Sequence, residues 1–555
     1  QLSPCSSLTE RHDLKNTVLI QQFYVAASKV RHAENVECLR RNLMNPYISR
    51  IILLNEREYS AVELGLKGSN VDRGKLSQVV IGKRLEFIDA FQYASEYVPS
   101  DSAIILANTD IFFDNTLGRI SRIGLSQSRK VLCQPRHEFN GETDLRTCQL
   151  IGKMYRSKFV PYADSQDAWI WHNAWKIPDN LRSVFKVPLG IPGCDNKIIY
   201  LLQMAGFRCH AEPKLIRIYH YHSSQLRSYT DATRIPSPYV CLLPSLSDRM
   251  AHYKVESSAF DVVAENKSLH DYLNKAFSAG KPVLIPRLGG IENDIAALGA
   301  ELGQCGYLPP DRRMVLERLK PDLKMHAGIK INTDAQVIKY SEDYLRAFEV
   351  SKRYFWFPPW SPVYSHYARS YEFMLANFKQ ARFASSALDI YLNIWSKPWT
   401  LALKGKRILI VSAFSKTFAT QVVKRAQIYG KDLFPDCTFR FVSAPQTHAG
   451  LHGGLYEDEM RALKQAVAKE SDNFDIALCA CGGYGAPICQ FIFTQLGRSA
   501  IYVGGVLQMY FGVLGRRWEH EAVDAIRAYA NEAWVRPLPE ETPPDCQRIE
   551  QGCYW

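Results

Sequence analysis

Short segments of this chain gather the residue types that handle a charged leaving group. ANTDIFFD (107–114) ends an apolar run in Asn108-Thr109-Asp110, and SQDAWIW (165–171) sets Asp167 before an aromatic pair. PLGIPGCDNK (188–197) presents Asp195 and Asn196 from a loop tightened by Gly and Pro, and YHYHSSQLRSY (219–229) alternates His220 with His222 ahead of Arg227 and Tyr229. Carboxylate and imidazole together hold a divalent cation, which acts as Lewis acid and template for a departing diphosphate. Asp110 is the candidate metal or diphosphate carboxylate, with Asn108 supporting it or touching a nucleotide. His220 and His222 point the same way on an extended segment, which suits metal or phosphate contact. Asp167 faces an apolar wall that would raise its pKa towards that of a general base. Asp195 and Asn196 suit recognition of sugar or acceptor hydroxyls, or else open a helix over 196–205 as an N-cap. Arg227 and Tyr229 add contacts to diphosphate or base. Each segment alone is also an ordinary turn, cap or core piece; their joint occurrence is the specific signal.

The second half carries a different pattern. FDIALCACGGYG (474–485) puts a Gly-rich turn after a strand, and IYVGGVLQMYFGVLGRRW (501–518) repeats that order, with Gln508, Arg516, Arg517 and Trp518 following. Such turns let backbone approach a phosphate closely, and arginines bind it bidentately. Tight packing of a Rossmann-like sheet explains the same glycines. The spacing GxGxxG is absent, so a dinucleotide site is not expected.

Elements that could position these residues follow from periodicity. Residues 16–25 read as a buried strand, 31–45 as a helix with Val36, Leu39 and Leu43 on one face, and 48–54 as a second strand, a βαβ opening. A helix near 84–97 leads to the apolar strand 103–107, so Asp110 falls at a strand's carboxyl end, where ligands gather in open α/β sheets. A Ser-, Pro- and Tyr-rich stretch over about 226–250 reads as a domain boundary. The second half then predicts a helix near 267–279, a strand at 282–286, helical structure from about 340 to 400, strands at 406–412, 475–479 and 499–503, and a helix near 486–496. The proline-bearing end reads as an irregular tail over 541–555. The expectation is an α/β protein of two Rossmann-like domains, 1–245 and 250–540.

Length and composition bound the rest. At roughly 100–200 residues per domain, 555 residues exclude a single simple core. With 46% hydrophobic, 22% charged and 12% aromatic residues, the chain is neither disordered nor low-complexity. The longest apolar runs are strand-sized, so no transmembrane segment is expected. The net charge of +12, from 68 Lys+Arg and 56 Asp+Glu, suits an anionic ligand; it is spread without basic runs, so a nucleic-acid partner is not expected. The 14 cysteines include no CxxC pair, and Cys479, Cys481 and Cys489 lack a matching His or second pair for zinc. The chain starts at Gln1, which suggests that targeting information precedes it. Golgi or secretory lumen and cytoplasm both remain open. A disulfide among Cys5, Cys546 and Cys553 would suit an oxidising lumen, and Asn266-Lys267-Ser268 is a glycosylation sequon.

The series NTDIFFD, SQDAW, GIPGCDN and HYHSSQLRSY, over about residues 16–230, resembles the GT-A-type glycosyltransferase domains of algal-virus and microbial glycan-building proteins, including rhamnosyltransferase-like ones. The resemblance implies a Rossmann-like GT-A fold, a nucleotide-sugar donor (UDP-, GDP- or dTDP-sugar) and Mn²⁺ or Mg²⁺. By position, Asn108 and Asp110 stand for the DxD-type motif, whose first acid is Asn here. Asp167 or Asp195 would be the base that activates an acceptor hydroxyl, Asp167 being preferred, and His220 or His222 would complete the metal shell. GGYG…GGVLQMYFGVLGRRW, with LKGKRILIVSAF (403–414) and RLGGIEND (287–294), resembles a bacterial glycosyltransferase family of the GT-D fold over about 255–535. That family commonly carries an R-x-G-D-G-E-like metal segment. Here it would be Arg287 to Glu292, with Gly290 in place of the first acid. By the same resemblance Gly483, Tyr484, Gly485, Gly504, Gly505 and Gln508 would line a donor pocket. The function implied is a bifunctional glycosyltransferase extending a glycan or glycoprotein acceptor. The alternatives are one active transferase joined to a degenerate binding scaffold, or a nucleotidyl- or phosphotransferase.

Overall fold

Short β-branched and leucine-rich runs, apolar at nearly every position, form strands covered on both faces. In the computed structural model, which describes residues 16–142, 144–155, 157–223, 233–246, 262–358, 368–447, 453–544, 546–548 and 552–555, these runs build two compact units, Gln1–Asp261 and Val262–Trp555. Both are mixed α/β structures.

The first unit opens with β1 (Asn16–Gln21), α1 (Lys29–Met44), β2 (Arg50–Asn55), β3 (Leu76–Val80), α2 (Phe87–Tyr97), β4 (Ser102–Ala107) and β5 (Ile111–Phe113). It continues with β6 (Lys130–Gln134), β7 (His137–Phe139), β8 (Gly152–Tyr155), β9 (Lys158–Pro161), β10 (Ala168–His172), α3 (Cys194–Met204), β11 (Arg208–His210) and β12 (Ile218–Tyr221). The main sheet has seven strands in the order β11-β6-β10-β4-β1-β2-β3. All neighbours are parallel except β10, which runs antiparallel to both β4 and β6. The chain goes outward from β1 to β3 and then crosses to β4 on the other side of β1. That reversal opens a crevice at the carboxyl ends of β1 and β4, the place where open α/β sheets bind ligands.

A small sheet, β5-β12-β7, stands beside this crevice, with β12 antiparallel to β5 and parallel to β7. Helix α1 holds it in place through polar groups on its buried face. Asn42 accepts from the Phe113 amide at 3.1 Å and donates to the Ile111 carbonyl at 2.9 Å, while Asn45 donates to the Phe113 carbonyl at 3.1 Å. Ser28 caps α1 by accepting from the Arg31 amide. The run AWIWH forms the buried central strand β10: Trp169 packs 4.7 Å from Phe87, and Trp171 packs 4.2 Å from Phe91, both on α2.

The second unit contains a wholly parallel five-stranded sheet. Its order is Leu284–Ile285, Ser499–Tyr502, Ile476–Ala480, Arg407–Ser412, Thr438–Ser443. Its reversal lies between Arg407–Ser412 and Ile476–Ala480. The expected helical stretch over 340–400 is interrupted: a helix over Asp334–Val350 is followed by the strand Tyr354–Trp356, the helix Ala368–Asn377 and the strand Arg382–Ala384. The buried aromatics of this region are core residues packed on one another, which mimics helical periodicity in sequence. The end of the chain packs back on the second unit. Tyr554 accepts from Gln508 Nε2 at 2.8 Å through its carbonyl, and Trp555 stacks edge-on with Phe414 at 5.8 Å. No helix among the described residues is long and apolar enough to cross a membrane. No disulfide joins two of the described cysteines, Cys546 and Cys553 included; Cys5 lies outside the described residues.

Candidate metal and base site of the first unit

The register of the small sheet builds the site. His220 on β12 stands opposite Ile111 on one side and opposite Glu138 on the other, and the Tyr221 amide donates to the Asp110 carbonyl at 3.0 Å. With neighbouring strands about 4.8 Å apart, Asp110, His220 and Glu138 are brought into one row. His220 Nε2 lies 3.0 Å from Asp110 Oδ2, and His220 Nδ1 lies 3.1 Å from Glu138 Oε2. His222, two residues on, brings its ring within 5.2 Å of His220, and ligand atoms of Asp110, His220 and His222 all fall within 4.8 Å of one another. The alternation of histidines on an extended segment has this outcome.

The loop that carries Asp110 is clamped from behind. Gln21, the last residue of β1, donates to the Asn108 carbonyl at 2.7 Å, and Thr109 Oγ1 donates to the Gln22 carbonyl. Asp110 is buried, and Arg31 in the first turn of α1 donates to the same carboxylate oxygen as His220. Burial works to raise the Asp110 carboxyl, but His220 and Arg31 outweigh it and hold the group well below the usual carboxylate range. Burial lowers His220, whereas Asp110 and Glu138 more than reverse this and raise it to about 9. Burial likewise opposes ionisation of Glu138, but His220 and Arg136 keep its carboxyl at about 2.

A second group of charges adjoins the first. Arg136 Nε donates to Glu138 Oε1 and Arg136 Nη1 to Asp167 Oδ2, each at 2.8 Å. The other Asp167 oxygen accepts from Asn108 Nδ2 at 2.9 Å. Asn108 therefore belongs with Asp167. Trp169 and Trp171 pack on α2, so the nearest named partners of the Asp167 carboxylate are Asn108 and Arg136. Asp195 lies in the first turn of α3, whose cap is Gly193 and which begins two residues earlier than the expected 196–205. Its Oδ2 accepts from the Gln166 amide at 3.3 Å and its Oδ1 from the Asn196 amide at 3.1 Å. Burial and the neighbouring charge of Asp167 push its carboxyl up to about 7. Arg227 and Tyr229 lie outside the described residues.

The donor set fits a divalent cation. One carboxylate and two imidazoles suit Mn²⁺ or another first-row ion better than Mg²⁺, which prefers all-oxygen surroundings. His220 also bonds a carboxylate through its far nitrogen, the arrangement that fixes ring orientation in metal-ligating histidines. Arg31 supplies the positive charge beside Asp110 in the present arrangement. Arg31, Arg136 and Glu138 were not singled out by sequence, since each acquires its role only through contacts across 79, 31 and 82 residues of chain.

In the second unit the expected donor-pocket residues are packed by their own chain. Arg287 follows the edge strand, donates to the Val503 carbonyl at 3.3 Å and lies 4.8 Å over the Phe357 ring. Glu292 lies in the first turn of a helix over Ile291–Cys305, and burial raises its carboxyl. A Cβ added at Gly483 would meet Ile329 at 2.4 Å, at Gly485 the Tyr502 ring at 2.4 Å, and at Gly505 the Tyr554 ring at 2.6 Å. Gly504, at φ +74°, would drive one into Arg287. Tyr484 is buried with its hydroxyl 3.1 Å from the Gly328 carbonyl, and Gln508 accepts from Trp518 Nε1 at 3.1 Å.

Neither a described protein family nor a curated protein sequence matches the chain. Among solved structures it is similar to GalNAc-T7 with UDP, GalNAc and Mn²⁺, at 9% identity and a TM-score of 0.27, over 41% of this chain and 47% of that one. It is also similar to the apo-form glycosyltransferase GlyE of Streptococcus pneumoniae TIGR4, at 11% identity and a TM-score of 0.21, over 93% of this chain and 100% of that one. A third is a 4-diphosphocytidyl-2C-methyl-D-erythritol synthase, at 9% identity and a TM-score of 0.21, over 40% of this chain and 95% of that one. The aligned part is thus about half of GalNAc-T7. At TM-scores this low, the fold class rests on the sheet topology itself.

Proposed function

We propose that the first unit is a metal-dependent glycosyltransferase that takes a nucleotide-sugar donor, with Asp110, His220 and His222 holding Mn²⁺. The observation that carries this reading is the meeting of these three side chains beside the carboxyl ends of β1 and β4. A divalent ion bound there would neutralise the departing diphosphate as a Lewis acid. Glu138 orients His220 so that Nε2 faces Asp110. With His220, Arg31 keeps the Asp110 carboxyl ionised and Arg136 that of Glu138. Asp195 is the base we assign for an acceptor hydroxyl: its carboxyl sits at about 7, where proton acceptance and ionisation are both available at neutral pH. Asp167, engaged by Arg136 and Asn108, is a positioning residue in this reading.

For the second unit we propose a nucleotide- or carbohydrate-binding partner in place of a second transferase. Gly290 stands where the GT-D resemblance expects an acid, and Ile329, Tyr502 and Tyr554 fill the space beside Gly483, Gly485 and Gly505.

The test is release of nucleoside diphosphate by the full chain across a panel of UDP-, GDP- and dTDP-sugars, with Mn²⁺ and with chelator. Mn²⁺-dependent release that Asp110→Asn abolishes, in a variant that keeps its circular dichroism, is the expected result. Asn is chosen because it fills the buried site and keeps an oxygen that accepts from Arg31, whereas Ala would leave a void and an unmet donor. Full release by Asp110→Asn would overturn the assignment.

A further inference from the structure

A cavity of about 330 Å³ opens between α1 and the β7–β12 edge. Glu34, Glu37 and Arg41 line it from the helix, and Phe139, Gly141 and Tyr221 from the sheet side. Its volume is at the small end of ligand cavities, about 300–1,000 Å³, which suits a single ring and excludes a folded partner.

The lining is amphipathic in an ordered way. Arg41 lies 4.8 Å over both the Phe112 and the Phe139 rings, and its Nε donates to Glu37 Oε1 at 2.7 Å, so the guanidinium plane is fixed. Its terminal nitrogens have no hydrogen-bond partner among the described residues. The carboxylates are already balanced. Glu34 accepts from Arg31 at 3.0 Å and from Ser223 at 2.7 Å, while Glu37 accepts from Arg40 at 2.8 Å and from Arg41. Compensated carboxylates do not call for a cation, but they retain lone pairs that accept from hydroxyl groups. Gly141, at φ +96°, lets its loop approach the Tyr221 hydroxyl so closely that a Cβ would come within 2.6 Å of it. Tyr221 in turn follows His220 in β12, and its carbonyl accepts from Arg31 at 3.2 Å.

A neutral ligand with an apolar face and a rim of hydroxyls fits these features: the face lies on the half-buried Tyr221, and the rim meets Arg41 and Glu37. We infer that this cavity binds one sugar ring, a claim that does not rest on the transferase reading above.

Saturation-transfer NMR on the full chain, with methyl glycosides of glucose, galactose, mannose, N-acetylglucosamine and rhamnose at millimolar concentration, tests the inference directly. Ala33→Trp, at an exposed position on the cavity rim, closes the opening without touching the core. Arg41→Met keeps the stem over the rings and removes the donors. At least one glycoside should saturate in the wild-type chain, and both variants should weaken it roughly tenfold or more, the loss of a charged hydrogen bond. No saturation by any glycoside, or unaltered saturation in both variants, overturns the site.

Discussion

His220 Nδ1 lies 3.1 Å from Glu138 Oε2 while the opposite nitrogen of the same ring lies 3.0 Å from Asp110. The imidazole is thereby fixed at both ends, at one of them by a residue that does not itself belong to the Asp110–His220–His222 cluster. A carboxylate behind a histidine ligand raises the basicity of the ring and holds its plane. Glu138→Gln is isosteric and can still hydrogen-bond His220, but it removes the charge. We expect Mn²⁺ affinity, read by electron paramagnetic resonance, to fall about 10–100-fold with the circular dichroism unchanged. Undiminished Mn²⁺ binding would remove Glu138 from the site.

Asp195 predicts a pH dependence with a definite sign. Its carboxyl lies at about 7 in the folded chain against the ordinary 3.8. As the proposed base it is protonated and idle at low pH, so kcat/KM should rise with pH through about 7. Asp195→Asn should abolish that rising limb and lower kcat by about 10²–10⁴-fold. Stability runs the opposite way. Between the unfolded and folded values the native state binds the proton more tightly, so the contribution of this group is lost as pH rises from about 4 to about 7. The Asn variant should therefore gain on the wild type in urea melts at pH 8 relative to pH 4. A rising limb near 7 that survives in Asp195→Asn would assign the base elsewhere.

The sequon at Asn266 is not available in the folded chain. Its side chain is buried in the helix Val262–Ser278, donating to the Lys397 carbonyl at 2.6 Å and accepting from the Trp399 amide at 2.9 Å. Expression in a glycosylating host should give no glycan at this residue by mass spectrometry. Asn266→Ala should cost about 1–3 kcal/mol in urea unfolding, because two buried backbone groups lose their partner. A glycan on folded, native-like protein would contradict this packing.

The strands that end the crevice were legible in sequence because burial on both faces leaves an unbroken apolar signature, as in Ala103 to Ala107, and because a polar residue straight after such a run can only lie at the strand's carboxyl end. His220 and His222 were legible for a similar reason: alternation on extended backbone puts both side chains on one face whatever the rest of the fold does. Other residues carry no such local sign. Nothing local marks AWIWH as a strand paired by β4 and β6 on either side, and the aromatic stretch after Val350 reads as continued helix although it breaks into the strand Tyr354–Trp356, the helix Ala368–Asn377 and the strand Arg382–Ala384. Sequence chose the residue types at Asp110 and Asp195, but not which carboxyl would be held below the ordinary range and which pushed above it. That was decided by the register of β5, β12 and β7, which brings Glu138 and Arg136 to His220 and Asp167, and by Arg31 arriving from α1. The energy of a charge depends on its neighbours within a few ångströms and on the water it loses, and those neighbours are distant in the chain.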